Sequence, residues 1–213
     1  MGTMMMTRRS FVAALAVVMM TFCWTGETRA TAAEGGEAQK FIEAMAQRAI
    51  DTLTDQEVSR PDRIKAFREI LKDNFAVEAI GRYVLSRYWN RATPEEKAEY
   101  LSLFEDLIVA TYVDRFAEYA GEQLNIVGTE ALDERDNMVH SLIEQAGSSQ
   151  PVRVDWRVRD SGNGSQRIYD VMVNGVSMAL TQRSEFGSVI AANGRTVAGL
   201  LEVLREKTKT LKE

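Results

Sequence analysis

The stretch from Thr93 to Ala120 constrains the fold most, because it holds more apolar surface than one helix face can carry. Thr93 sits where an N-cap belongs, Pro94 where a missing N–H costs nothing, and Glu96 three residues past the cap, the pattern of a capping box. Helical spacing then lays out one stripe of Leu101, Phe104, Ile108, Tyr112, Phe116 and Tyr119, and a second of Leu103, Leu107, Ala110, Val113 and Ala117. A helix with one partner needs one stripe. Two adjacent stripes predict burial over more than half the circumference, with the helix crossing the middle of a domain. Gly121 ends the segment.

Three helices are expected before it. Phe41, Met45, Ala49 and Leu53 recur at helical spacing within residues 37–53; Pro61 opens a second helix reaching Asn74; residues 76–88 form a third. After Gly121 the period changes to two. Short strands are expected at 124–127 and 138–143, and in the next one Val152, Val154, Trp156 and Val158 alternate with Arg153, Asp155, Arg157 and Arg159, a half-buried strand with one wet face. Ser161-Gly162-Asn163-Gly164 reads as a turn, 168–173 as a strand, Asn174-Gly175 as a tight hairpin turn and 176–180 as the returning strand. Helices at 182–192 and 196–209 follow, separated by Asn193-Gly194. This order predicts an α+β domain with its helices packed on one face of an antiparallel sheet.

The first 32 residues read as a secretory signal. Arg8 and Arg9 precede an apolar run from Phe11 to Trp24, and Ala30-Thr31-Ala32 fits the small-residue cleavage rule. Thr7-Arg8-Arg9-Ser10-Phe11-Val12 also looks like a twin-arginine signal, the alternative being an ordinary secretory signal with two arginines. Residues 33–36 are expected to be a flexible leader, and 33–213 one domain. The sole cysteine, Cys23, lies inside the signal, so the exported chain has no disulfide and no thiolate chemistry. Removing the leader's three arginines and one glutamate from 26 basic and 31 acidic residues leaves 23 and 30, a net charge of −7. That balance disfavours nucleic acid and anionic membranes as partners.

Catalytic equipment is sparse. His140 is the only histidine and shares a strand face with Met138 and Leu142; with no cysteine beside it, no metal site and no cofactor is expected. Asp170 and Glu185 are the least ordinary carboxylates. Each has a structural explanation: an edge or capping role for Asp170, and helix-dipole pairing at a helix start for Glu185. No catalytic residue is assigned.

Two segments resemble the MlaC family. One is Gly81-Arg82-Tyr83 with Trp89-Asn90-Arg91-Ala92-Thr93-Pro94-Glu95-Glu96, continuing through Tyr100, Phe104 and Tyr112; the other is Tyr169-Asp170-Val171-Met172-Val173-Asn174-Gly175-Val176-Ser177-Met178 with Arg183, Glu185, Phe186 and Gly194. The resemblance implies a cone-shaped NTF2-like domain that holds phospholipid acyl chains in an apolar pocket between sheet and helices. It implies a periplasmic monomeric carrier, not an enzyme, moving lipid between an outer-membrane lipoprotein complex and an inner-membrane ABC transporter bearing an MCE-domain protein. It also implies the toluene-tolerance role and the maintenance of outer-membrane asymmetry associated with that family. On the elements above, such a pocket would be lined by Val84, Trp89, Phe104, Leu107, Ile108 and Tyr112 from the helices. Val154, Trp156, Val171, Val173 and Val176 would join them from the sheet, and Met178, Phe186 and Ile190 from beyond it. Arg153, Arg157 and Arg159 would offer partners an exposed basic row. The alternatives are a small NTF2-like enzyme with Asp170 as base, a carrier of hopanoid-type lipids, and a scaffold with a closed core.

Overall fold

The computed structural model describes residues 28–118, 122–144, 150–162 and 164–211. Their helices are α1 (Thr28–Leu53), α2 (Arg60–Asn74), α3 (Val77–Leu85), α4 (Pro94–Ala117), α5 (Met178–Ala192) and α6 (Val197–Lys207). A 3-10 turn at Ser86–Tyr88 follows α3. The strands are β1 (Gln123–Ala131), β2 (Asp136–Glu144), β3 (Val152–Asp160), β4 (Gln166–Val173) and β5 (Val176–Ser177). They pair in sequence order, each antiparallel to the next. The expected class, α+β with helices on one face of an antiparallel sheet, is the observed one.

Local chemistry sets most boundaries. Thr93 Oγ1 accepts the Glu96 N–H at 3.2 Å while Glu96 Oε2 accepts the Thr93 N–H at 2.9 Å, so the capping box is complete. Asn174 and Gly175 both take positive φ, 49° and 80°, as a two-residue hairpin with this sequence requires. The guanidinium of the buried Arg63 closes the C-terminal end of α1, donating to the carbonyls of Leu53 (2.8 Å), Asp55 (3.0 Å) and Val58 (3.2 Å). Ala76 N–H donates to the Ile168 carbonyl at 2.9 Å, which covers part of the open edge of β4.

Several boundaries differ from expectation: the third helix ends at Leu85, and the first two strands are longer, Gln123–Ala131 and Asp136–Glu144. α1 begins at Thr28, so residues 33–36 are helical; the alanines at 30, 32 and 33 are the strongest helix formers there are. Most of the expected signal, residues 1–27, and the expected helix stop at Gly121 lie outside the described residues. The returning strand stops at Ser177, and α5 starts at Met178 rather than at 182. Ser177 Oγ accepts the Leu180 N–H at 3.0 Å and Asp170 Oδ1 accepts the Ala179 N–H at 3.1 Å, so side chains from two strands satisfy the first turn of the helix.

The buried residues form two apolar clusters. The first joins α3, α5, α6 and the beginning of α4, through Val84, Leu85, Tyr100, Phe104, Phe186 and Leu200 among others. The second joins α1, α2 and the end of α4 to the inner face of the sheet, through Ile42, Phe67, Val109, Val113, Val139 and Ile168. α4 serves both, and its buried side changes on the way. Tyr100 and Val109 are each wholly buried, in different clusters, nine residues or two and a half turns apart, hence on opposite sides of the helix. Neither belongs to the two stripes read from sequence, and Tyr112 of the first stripe is 38 % exposed.

The outer face of the sheet is charged. The wholly buried Asp136 carboxylate bonds both Arg157 and Arg159, and Arg159 also lies over the Tyr169 ring, 4.7 Å from its centroid. The Arg159 hydrogen bond, with that of Arg157, holds the Asp136 carboxyl below the usual carboxylate range in spite of its burial. A depressed carboxyl stabilises the fold above its unfolded pKa, and this stabilisation is lost as pH falls through the folded value. Asp136→Asn is therefore expected to cost about 2–3 kcal/mol at pH 7, allowing for the partial exposure of both arginines. The gap to wild type should close on acidification, and urea midpoints measured across pH check it; a gap that persists unchanged in strong acid would refute the assignment.

Candidate functional site

The residues expected to line a pocket divide between the two apolar clusters and several positions outside both. Val84, Phe104, Phe186 and Ile190 are buried together in the first cluster, with Trp89 and Leu107 packed against it. Trp156 and Val171 pack against the second, and Ile108 touches both. Val154 is buried on the inner face of β3, and Val173 and Met178 are half-buried where β4 leads into α5. Val176 on β5 is 55 % exposed and Tyr112 on α4 is 38 % exposed, so neither belongs to the buried interior.

An aromatic set holds the first cluster. The Tyr100 ring stacks on Phe104 with centroids 5.8 Å apart, and Phe186 stands edge-on to both at 6.1 and 6.2 Å. The Tyr100 hydroxyl donates to the Gly81 carbonyl at 2.9 Å, and burial pushes its pKa far up, so it stays a neutral donor. Gly81 lets α3 approach this closely: a Cβ there would lie 3.0 Å from Leu101 Cδ2 and 3.2 Å from Phe104 Cδ1. In the sequence Tyr100 is one residue of the family signature; its place at the centre of the rings comes from the tertiary packing.

On the sheet's inner face a short polar chain is fully used. Ser141 Oγ donates to the Val154 carbonyl at 2.6 Å and accepts the Trp156 indole N–H at 3.0 Å. This lets Trp156 present its apolar ring to the second cluster without a stranded donor.

Two adjoining clefts, about 210 and 350 Å³, open where α3, the Ser86–Tyr88 turn and α5 meet. Val84 and Ile190 floor the smaller one, and Ser86 and Arg183 line both. Ser86 takes φ 56°, ψ −132°, a conformation that disfavours any residue but glycine. Arg183 lies over the Tyr83 ring at 5.0 Å, Arg87 over Tyr88 at 5.0 Å and Lys97 over Trp89 at 5.5 Å.

The carboxylates singled out in the sequence are structurally engaged. Asp170 Oδ1 accepts the N–H groups of Val171 (2.9 Å) and Ala179 (3.1 Å), and Oδ2 accepts the Ser177 hydroxyl at 2.5 Å, so it ties β4 to the start of α5. Glu185 is not at a helix start, because α5 begins seven residues earlier; it is exposed and accepts from Gln182 at 3.2 Å. His140 Nδ1 lies 2.9 Å from Asp155 Oδ1 on the outer face. Burial raises the Asp155 carboxyl, but hydrogen bonds from Arg153 and His140 outweigh it and leave it below the usual range. Among the described residues no group of three or more His, Cys, Asp or Glu side chains is arranged to hold a metal ion.

The outer-face arginines differ from the exposed basic row expected of them. Arg157 and Arg159 share Asp136, and Arg153 bonds Asp155 at 2.9 and 3.0 Å. A partner would meet alternating charge there: strand register brings Asp136 to Arg159 and Arg157, and Asp155 lies two residues along β3 from Arg153.

Comparison with known proteins adds two findings. A family model described as "MlaC protein" matches residues 43–206. Among solved structures, the phospholipid-binding protein from Ralstonia solanacearum in complex with a phospholipid superposes with a TM-score of 0.73. The match covers 83 % of this chain and 99 % of that one at 22 % identity, a likeness of fold.

Proposed function

The chain belongs to the MlaC family, and from that premise we propose that it is a periplasmic phospholipid carrier that takes acyl chains into its apolar interior. The observation that carries this reading is the doubled apolar interior, two clusters joined along α4, in a fold shared with a phospholipid-binding protein. The lining comprises the fourteen positions named from the sequence, with Ile108 at the junction and Val176 and Tyr112 at the mouth.

Elementary energetics requires such an interior. A diacyl lipid carries roughly thirty methylenes at ~0.8 kcal/mol each, about 24 kcal/mol against crossing water unaided. A carrier must replace nearly all of that hydrocarbon contact. Sites for drug-sized ligands span about 300–1,000 Å³, and a diacyl lipid is larger, so the observed clefts cannot hold its chains. Loading therefore parts the walls, and the seam between the clusters, where Ile108 and Val77 touch both, is where the least packing is lost.

In this reading lipid moves between an outer-membrane complex and an inner-membrane ABC transporter, and no step needs catalysis on this chain. Both oxygens of Asp170 are engaged in tying β4 to the start of α5, which supports a structural role for this carboxylate. Among the described residues no helix is long and apolar enough to cross a membrane.

Native mass spectrometry of protein purified from its own cells tests the proposal. About one phospholipid per chain is expected. A bare polypeptide, under conditions that keep a known carrier loaded, would overturn it, and a polycyclic lipid in place of a phospholipid would redirect it to the hopanoid branch.

A further inference from the structure

We propose that the cleft between α3, the Ser86–Tyr88 turn and α5 is an oxyanion site that takes a phosphate ester through Arg82, Arg183 and the Ser86 hydroxyl. The inference rests on the carrier reading for its lipid source, and on the cleft itself for its chemistry.

The cleft collects donors. Its polar lining is Arg82, Ser86, Arg87, Asn90 and Arg183, and no carboxylate is among its lining residues. Among the described residues none of Arg82, Arg87 and Arg183 forms a salt bridge. The contrast with the outer sheet face is direct, since the arginines there have acidic neighbours. On a chain with 31 acidic and 26 basic residues, such a concentration of unneutralised guanidinium points to an anion supplied from outside.

Shape narrows the anion. The Tyr83 ring lies under the Arg183 guanidinium, which limits its freedom and leaves its N–H edge for a ligand. Planar guanidinium matches the paired oxygens of a phosphate. The positive φ of Ser86 places a hydroxyl-bearing residue on the lining of both clefts, where no hydrogen bond among the described residues engages its side chain. Backbone strain at a ligand-lining position is a recurrent property of binding sites. Beneath the rim, Val84 and Ile190 belong to the first apolar cluster. A phosphate ester at the rim thus stands directly above hydrocarbon, which is the layout of a phospholipid with its headgroup out and its chains in.

The phosphate has two possible sources, a lipid headgroup or free phosphate, and the test separates them. The purified full chain is titrated with dihexanoyl phosphatidate, with dihexanoylglycerol, which lacks the phosphate, and with inorganic phosphate, the bound fraction being read by native mass spectrometry. Phosphatidate is expected to bind about tenfold more tightly than the glycerolipid. Arg82→Gln with Arg183→Gln should erase that preference and leave glycerolipid binding as in wild type. Arg82→Lys with Arg183→Lys should keep only part of it, because the charge remains but the planar paired donors are lost. Inorganic phosphate that displaces phosphatidate in wild type but not in the glutamine variant would support the same site and add the free anion as a ligand. Equal binding of the two lipids by wild type, or a preference that survives the glutamine variant, would overturn the inference and leave the carrier reading standing. Binding of neither lipid would overturn both.

Discussion

Ile108→Glu is expected to leave the protein folded and empty, with lipid occupancy reduced at least about tenfold relative to wild type. Ile108 is half-buried, so a carboxylate there retains some water and the folded state tolerates it better than at a wholly buried position such as Val109. It is also packed against both apolar clusters. A chain entering along their seam would have to lie against the new carboxylate, and replacing a methylene contact by an ionised group strips that group of its remaining water. Native mass spectra of wild type, Ile108→Glu and the volume-conserving Ile108→Met, each checked by circular dichroism, give the measurement. Full occupancy in a folded Ile108→Glu protein would place the acyl chains elsewhere.

The largest effect on stability is expected from Gly199→Ala. Gly199 lies in the first turn of α6, where its N–H donates to the Thr196 hydroxyl at 3.1 Å. An added Cβ would fall 2.1 Å from the Asn193 carbonyl oxygen and 2.9 Å from Asn193 Cβ. That carbonyl cannot simply swing away. Asn193 is held by its own N–H to Val189 and Ile190 and by its side-chain amide to the Val189 carbonyl at 2.8 Å, and Arg195 N–H donates to Ile190 at 2.9 Å. The methyl group therefore pushes apart two helices whose buried faces, Ile190 on one and Val197, Leu200 and Leu201 on the other, meet in the first cluster. A loss of about 3 kcal/mol is expected, or roughly 6–12 °C in the melting temperature of a domain this size. A melt within 2 °C of wild type would show that the turn relaxes freely.

The sequence carried the local decisions well. The Thr93 box and the Asn174-Gly175 turn are written in consecutive residues, and the β3 alternation in period two, so no knowledge of the rest of the chain is needed to read them. The start of α5 is different. Val176-Ser177-Met178-Ala179-Leu180 reads equally as strand or helix, and what decides is the Asp170 carboxylate arriving from β4. The pairing of Arg157 and Arg159 with Asp136 likewise depends on strand register, which the residues of β3 alone do not contain. Among the pocket candidates, Val84, Phe104, Phe186 and Ile190 are brought into one cluster, as apolar helical spacing allows. Val176 is not, because the turn that makes it legible also carries it to the surface. The basic cleft was illegible in the sequence: Arg82 and Arg183 lie on helices separated by the whole sheet, and only the packing of α3 on α5 sets them on one wall.

The change of buried side along α4 has a mechanical consequence. Tyr100 and Val109 sit half a revolution out of phase and are gripped from opposite directions, so rolling the helix about its axis would tear side chains from both clusters at once. α4 is torsionally locked. A single residue inserted between Phe104 and Val109 would advance everything beyond it by about 100° and misalign one grip or the other. Movement that admits a large guest must come from elements held from one direction only. α5, whose buried residues all belong to the first cluster, can tilt as a hinged leaf against an axle that does not turn.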